Sequence, residues 1–168
     1  MKTRCRDDDM KNTEQVTVRV TGNQFYFHYT DTNEEPVEVI SAGMMRREED
    51  ACVIGYEEAY DGFQEKTQNM VTIGKDRVQI DKKGVVTSSL VFERGKKSAS
   101  YYTTPFGMME MGVTTTTLKS DVREDGADIF IAYALIMNGS YVADCTVDIE
   151  VRKTAPRTED GEETGSES

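Results

Sequence analysis

Three observations in the sequence predict an all-β fold, an antiparallel up-and-down meander closed into a barrel of about 8–10 strands. Apolar residues alternate with polar ones at a period of two almost everywhere. Turn signals interrupt the alternation at short intervals: Asp61-Gly62, Gly74-Lys-Asp76, Lys82-Lys-Gly84, Arg94-Gly95-Lys96, Pro105-Phe-Gly107, Asp125-Gly126 and Asn138-Gly139. Asn-Gly and Asp-Gly supply the positive φ that tight hairpins need. No segment combines a 3.6-residue period with a cap at each end. A meander of this many strands has to sandwich or close, and closing removes its edges.

Each strand follows from the same parity test. Val16, Val18 and Val20 point one way, with Thr17 and Arg19 opposite. Ile54, Tyr56 and Glu58 share a face, as do Val78, Ile80 and Lys82, and then Ser88, Leu90 and Phe92. Met109, Met111, Val113 and Thr115 line one side of a longer strand, and its run Thr114-Thr-Thr-Thr117 is β-branched, as a pleated surface favours. Ile129, Ile131, Tyr133, Leu135 and Met137 alternate with Phe130, Ala132, Ala134 and Ile136. Both faces of that strand are apolar, so it is expected to be buried twice or to meet another chain. The last strand sets Tyr141, Ala143, Cys145, Val147, Ile149 and Val151 against Asp144, Thr146, Asp148, Glu150 and Arg152.

The 168 residues suit one domain with a sizeable core. The net charge of −11 disfavours nucleic acid and an anionic membrane surface as partners. No apolar run approaches the roughly 20 residues of a spanning helix. The first residues lack the apolar segment of a signal peptide, so a cytoplasmic location is expected. Residues 154–168 hold five acids, one Arg and no large apolar side chain, and are expected to be a disordered acidic tail. Residues 1–15 are expected to be a flexible segment, which leaves 16–153 as the barrel. Within it, charge is uneven: 31–65 carries eleven acids and two arginines, net −9, whereas 75–97 carries seven basic residues and three acids, net +4. Such a split suits solvated strand faces and hairpin tips. It would also suit head-to-tail docking or an anion on the basic side.

Signatures of catalysis are absent. There is no Gly-x-Gly-x-x-Gly, P-loop, Gly-x-Ser-x-Gly or His-Glu-x-x-His. Cys5, Cys52 and Cys145 are odd in number and far apart, which speaks against disulfides and zinc. The single histidine, His28, lies in the aromatic run Phe25-Tyr-Phe-His-Tyr29 and is expected to pack or lie at an edge. Asp7-Asp8-Asp9 is expected to be a solvated charge run. No catalytic, metal or cofactor residue is assigned. The nine methionines are expected to fill the core, although flexible side chains would also suit an adaptable cavity.

Two charges stand out because they fall on apolar faces: Glu58, beyond Ile54 and Tyr56, and Lys82, beyond Val78 and Ile80. An isolated buried charge costs many kcal/mol, so the two must pair or reach water. Their closeness to turns favours water. Paired, they would anchor the polar end of a ligand in the barrel mouth.

The order of motifs also carries a resemblance. Ile54-Gly-Tyr-Glu-Glu58, Lys82-Lys-Gly84, Leu90-Val-Phe92, Tyr102-Thr-Thr-Pro-Phe-Gly107, Thr115 and Ile131-Ala-Tyr133 follow one another at suitable intervals. In this the chain resembles the YwiB-like family of uncharacterised bacterial proteins over about residues 16–153, with Tyr102-x-Thr-Pro-Phe-Gly107 the most specific element. The resemblance implies a calycin-type (lipocalin-like) β-barrel, a cytoplasmic setting and no assigned activity. The family pattern favours Arg where this chain has Lys82, and an ammonium cannot clamp a carboxylate bidentately.

The expected function is a non-enzymatic binding module for a small, partly apolar ligand in the barrel interior, with Tyr56, Glu58, Lys82, Tyr102 and Tyr133 as the ligand-binding residues. It calls for a connected cavity of at least ~300 Å³ reached from the Glu58/Lys82 end. The alternative is a homo-oligomeric interaction or structural protein without a small-molecule ligand, associating through the strand from Phe130 to Ile136. No positioned nucleophile–base pair points to an enzyme.

Overall fold

A computed structural model describes residues 13–22 and 37–154. The expectations for His28, for Asp7–Asp9 and for the acidic tail lie outside the described residues. Ten strands follow in order: β1 (Thr13–Gly22), β2 (Val37–Arg47), β3 (Cys52–Glu58), β4 (Thr67–Gly74), β5 (Arg77–Lys83), β6 (Ser88–Phe92), β7 (Lys97–Thr104), β8 (Gly107–Arg123), β9 (Gly126–Met137) and β10 (Ser140–Lys153). They form one antiparallel sheet in the order β6-β5-β4-β3-β2-β1-β10-β9-β8-β7, with no helix among the described residues. The fold is all-β and the sheet curls into a nearly closed barrel.

The two ends of the sheet meet at a seam between β6 and β7. Thr87 and Thr103 exchange backbone bonds of 3.0 and 2.9 Å there. Further along, the serines of Ser98-Ala-Ser100 replace the missing ladder: Ser89 N–H donates to Ser100 Oγ and Val91 N–H to Ser98 Oγ, both at 3.1 Å. Gly95 N–H donates to the Thr115 carbonyl and Thr115 N–H to that of Lys96, which ties the seam to β8.

Inside, the predicted faces appear almost residue for residue. Val16, Val18, Ile54, Val78, Leu90, Phe92, Met111, Val113, Ile129, Ile131, Ile149 and Val151 are buried in one cluster. Two bulges modify the parity. One falls between Thr115 and Thr117, and the next inward residue of β8 becomes Leu118. The other falls between Tyr141 and Ala143, so Tyr141, expected on the inner face, is 63% exposed. At the β9–β10 turn Asn138 and Gly139 both take positive φ, 50° and 85°, as a tight hairpin requires.

The β9 strand is neither buried on both faces nor open on both. Its odd residues from Ile129 to Met137 face the core, with Tyr133 half-buried among them, whereas Phe130, Ala132, Ala134 and Ile136 are half-buried on the outer wall.

Candidate functional site

Four strands build the site by register. Tyr56 of β3 is opposite Asn69 of β4, Asn69 is opposite Lys82 of β5, and Lys82 is opposite Ser88 of β6. One step further toward the same end, Glu58 pairs with Thr67. Parity turns all of these side chains inward. The Lys82-Lys-Gly84 turn is held tightly here, because a Cβ on Gly84 would collide with the Lys66 carbonyl and the Thr67 backbone. The Thr104-Pro-Phe-Gly107 turn is closed by one side chain: Thr104 Oγ1 accepts from Phe106 N–H and donates to the Gly107 carbonyl, each at 3.1 Å. It positions Tyr102, two residues earlier, on the inner face.

Glu58 and Lys82 pair with each other. Lys82 Nζ donates to Glu58 Oε1 at 3.0 Å and to Asn69 Oδ1 at 2.8 Å. Asn69 Nδ2 donates to the same carboxylate oxygen at 3.2 Å, and the Tyr60 hydroxyl does so at 3.1 Å. The side chains remain 14% and 25% exposed, so solvent still touches them. Nearness to turns therefore does not carry the pair into bulk water. Asn69, itself 2% exposed, bonds both partners and holds them at the mouth.

The cluster has a settled charge. Burial raises the Glu58 carboxyl, but the Lys82 ammonium and the bonds from Lys82, Asn69 and Tyr60 outweigh burial and hold it below the ordinary carboxylate value. Burial, reinforced by the Glu58 charge, pushes the Tyr56 and Tyr60 phenols far up, so both remain neutral donors. Burial does the same to Tyr133, followed by Cys145, with which it shares a side-chain hydrogen bond.

Of the five residues singled out in the sequence, the structure joins Glu58 and Lys82 directly and sets Tyr56 in the adjoining row. Tyr102 is half-buried against the core cluster. Tyr133 lies against Phe92, ring centroids 5.2 Å apart and tilted by 58°. Sequence reasoning missed Asn69 and Tyr60. The alternation Asn69, Val71, Ile73 was a readable signal for the first, whereas Tyr60 sits in a loop and has no periodic signal.

The expected deep cavity does not match what the structure offers. Phe92, Met111 and Tyr133 pack into the barrel's interior. A hollow of about 320 Å³ lies on the outer wall beside Lys119, Phe130, Asp148 and Arg152. Another, of about 400 Å³, lies beside Arg47, Asp50, Lys75 and Val122 at the opposite end from Glu58. The interior polar atoms instead gather at the mouth. Thr115 Oγ1, 1% exposed across from Tyr133, is a buried hydroxyl without a hydrogen-bond partner among the described residues.

Comparisons with known proteins agree with this architecture. The profile of a domain of unknown function, DUF1934, matches residues 25–149. The chain is 27% identical over 103 residues to the uncharacterized beta-barrel protein YwiB of Bacillus subtilis (strain 168), covering 61% of this chain and 71% of that one. The crystal structure of the ywiB protein from Bacillus subtilis superposes with a TM-score of 0.73 at 22% identity, covering 89% of this chain and 99% of that chain.

Proposed function

This chain belongs to the DUF1934 family, a domain of unknown function, and from the geometry of its barrel mouth we propose that it is a non-enzymatic binding module for a small, partly apolar ligand. The observation that carries the reading is the ion pair of Glu58 and Lys82 in a polar row above the apolar inner face, reachable from solvent and bridged by Asn69. Around the ring from that polar wall, the same end of β8 and β9 presents Met109, Met111, Leu135 and Met137. One wall offers hydrogen bonds and a charge, the other flexible apolar contact, which suits a ligand with a polar head and an apolar body. With the interior packed, the ligand sits at the mouth and only its end passes inward. The calycin-type description of the barrel and a cytoplasmic location belong to this reading. The first rests on the ten-strand meander. The second rests on the acidic composition and on Cys52 and Cys145, which are free thiols.

Native mass spectrometry of protein purified from its own source tests the proposal. We expect a small molecule to copurify with the wild type, and its occupancy to fall about tenfold in Lys82→Met, the equivalent of one charge-assisted hydrogen bond. In Lys82→Arg, which keeps the cation, it should persist. A wild type that carries nothing, or a Lys82→Met variant that carries as much, overturns the reading.

A further inference from the structure

The outer wall of β8, β9 and β10 carries a second surface, independent of the mouth. Along β9, Phe130, Ala132, Ala134 and Ile136 form an apolar strip about 20 Å long, at about 3.4 Å per residue. Its flanks differ in sign. In the row of Phe130, the β8 neighbour is Lys119 and the β10 neighbour is Asp148. In the row of Ala134, Thr114 of β8 leads out to Lys97 of β7, and the β10 neighbour is Asp144. Between them the row of Ala132 has only Thr117 and Thr146. In these two charged rows the cations lie on the β8 side of the strip and the acids on the β10 side.

The pairing state of these charges sets them apart. Lower on the same wall, Arg123 and Arg152 both bind Asp128, and Arg19 binds Glu38 and Glu150. Asp144 accepts a hydrogen bond from Tyr141. Lys97, Lys119 and Asp148, by contrast, make no ion pair with any described residue. Beside Phe130, Lys119 and Asp148 also border the hollow of about 320 Å³.

The geometry points to a second copy of this chain as the occupant of this wall, in a two-fold dimer whose axis runs along β9. An axis lying along β9 in the plane of contact keeps each residue's height on the strand and exchanges left with right. It therefore sets Lys119 over the other copy's Asp148, and Asp148 over its Lys119, with the Phe130 side chains meeting beside the two hollows. In the next charged row it brings Lys97 toward the other copy's Asp144. A wall with cations on both flanks would repel itself in this arrangement, whereas the rows of Phe130 and Ala134 are complementary to their own copy. The acids of the next row down, Asp121, Asp128 and Glu150, are held by Arg123, Arg152 and Arg19 of the same chain. The strip is small, so the dimer belongs to the weak, transient class.

Sedimentation and light scattering over about 1 μM to 1 mM, the range of weak specific contacts, test this. We expect a reversible dimer in which Lys119→Asp and Asp148→Lys each raise the dissociation constant about tenfold, since symmetry makes each change count twice. The double variant Lys119→Asp/Asp148→Lys, which restores opposite charges across the axis, should dimerise as the wild type does. A wild type monomeric throughout, a dimer indifferent to the single changes, or a double variant as weak as the singles overturns the proposal. None of these residues belongs to the mouth, so ligand occupancy and dimerisation fail or succeed separately.

Discussion

Two neighbouring rows on the same inner face, two residues apart, behave differently. The lower row runs Ile54, Val71, Ile80, Leu90 across β3 to β6 and is apolar throughout. The upper row runs Tyr56, Asn69, Lys82, Ser88 across the same strands, with Glu58 just beyond. Strand pairing and parity are identical for both, so the backbone does not distinguish them. The lower row is stabilised by burial alone and tolerates any arrangement that fills the space. The upper row holds a charge of each sign in a mostly buried place, which is stable only with every partner present.

The largest expected effect comes from breaking the lower row. Ile54 is fully buried, and Ile54→Ala should cost about 3 kcal/mol, the lost transfer energy plus a cavity, read as a lower urea midpoint at unchanged slope. Next is the upper row. Lys82→Met leaves the Glu58 carboxylate facing Asn69 and Tyr60 without its cation and should cost about 2 kcal/mol, less than for a sealed pair because water still reaches the site. Glu58→Gln/Lys82→Met should cost clearly less than the sum of the two single changes. Strict additivity would mean that the pair contributes nothing and that the two rows differ in composition only.

The smallest effect, and the sharpest in sign, concerns pH. The Glu58 carboxyl is held below its ordinary value in the fold. Its contribution is therefore complete above the unfolded value of about 4.5 and fades as pH falls through the lower folded value. Wild type should exceed Glu58→Gln in stability at pH 7, and the gap should narrow as pH falls below about 4.5, as urea titrations from about pH 7 to pH 3 would show. A gap constant with pH would remove the electrostatic account of the upper row.

Much of this was legible in the sequence, for a physical reason. Period-two alternation reports which face is buried, so the inward sets of β1, β3, β5, β6, β9 and most of β10 could be read without coordinates. The bulges were not legible. An inserted residue shifts parity without leaving a compositional mark, so Tyr141 lies outside although alternation puts it within. The seam was also hidden, because Ser98 and Ser100 are ordinary strand residues until β6 comes alongside them. For the site, the sequence raised Glu58 and Lys82 as charges on apolar faces but could not choose between water and each other. Their separation of 24 positions says nothing about distance until β4 is laid between β3 and β5.

By itself, then, the sequence determined the class of fold, the number of strands to within about two and the inner face of most of them. Side-chain alternation is a local property fixed by backbone geometry. The tertiary structure decided what local geometry cannot: which strands lie side by side, where a bulge reverses parity, and that Asn69 stands between Glu58 and Lys82. It also decided that the interior is packed and that the polar atoms meet at its mouth. The charges beside Phe130 and Ala134 on the outer wall likewise acquired their arrangement, Lys119 and Lys97 on one flank and Asp148 and Asp144 on the other, only when β8 and β10 were placed on either side of β9.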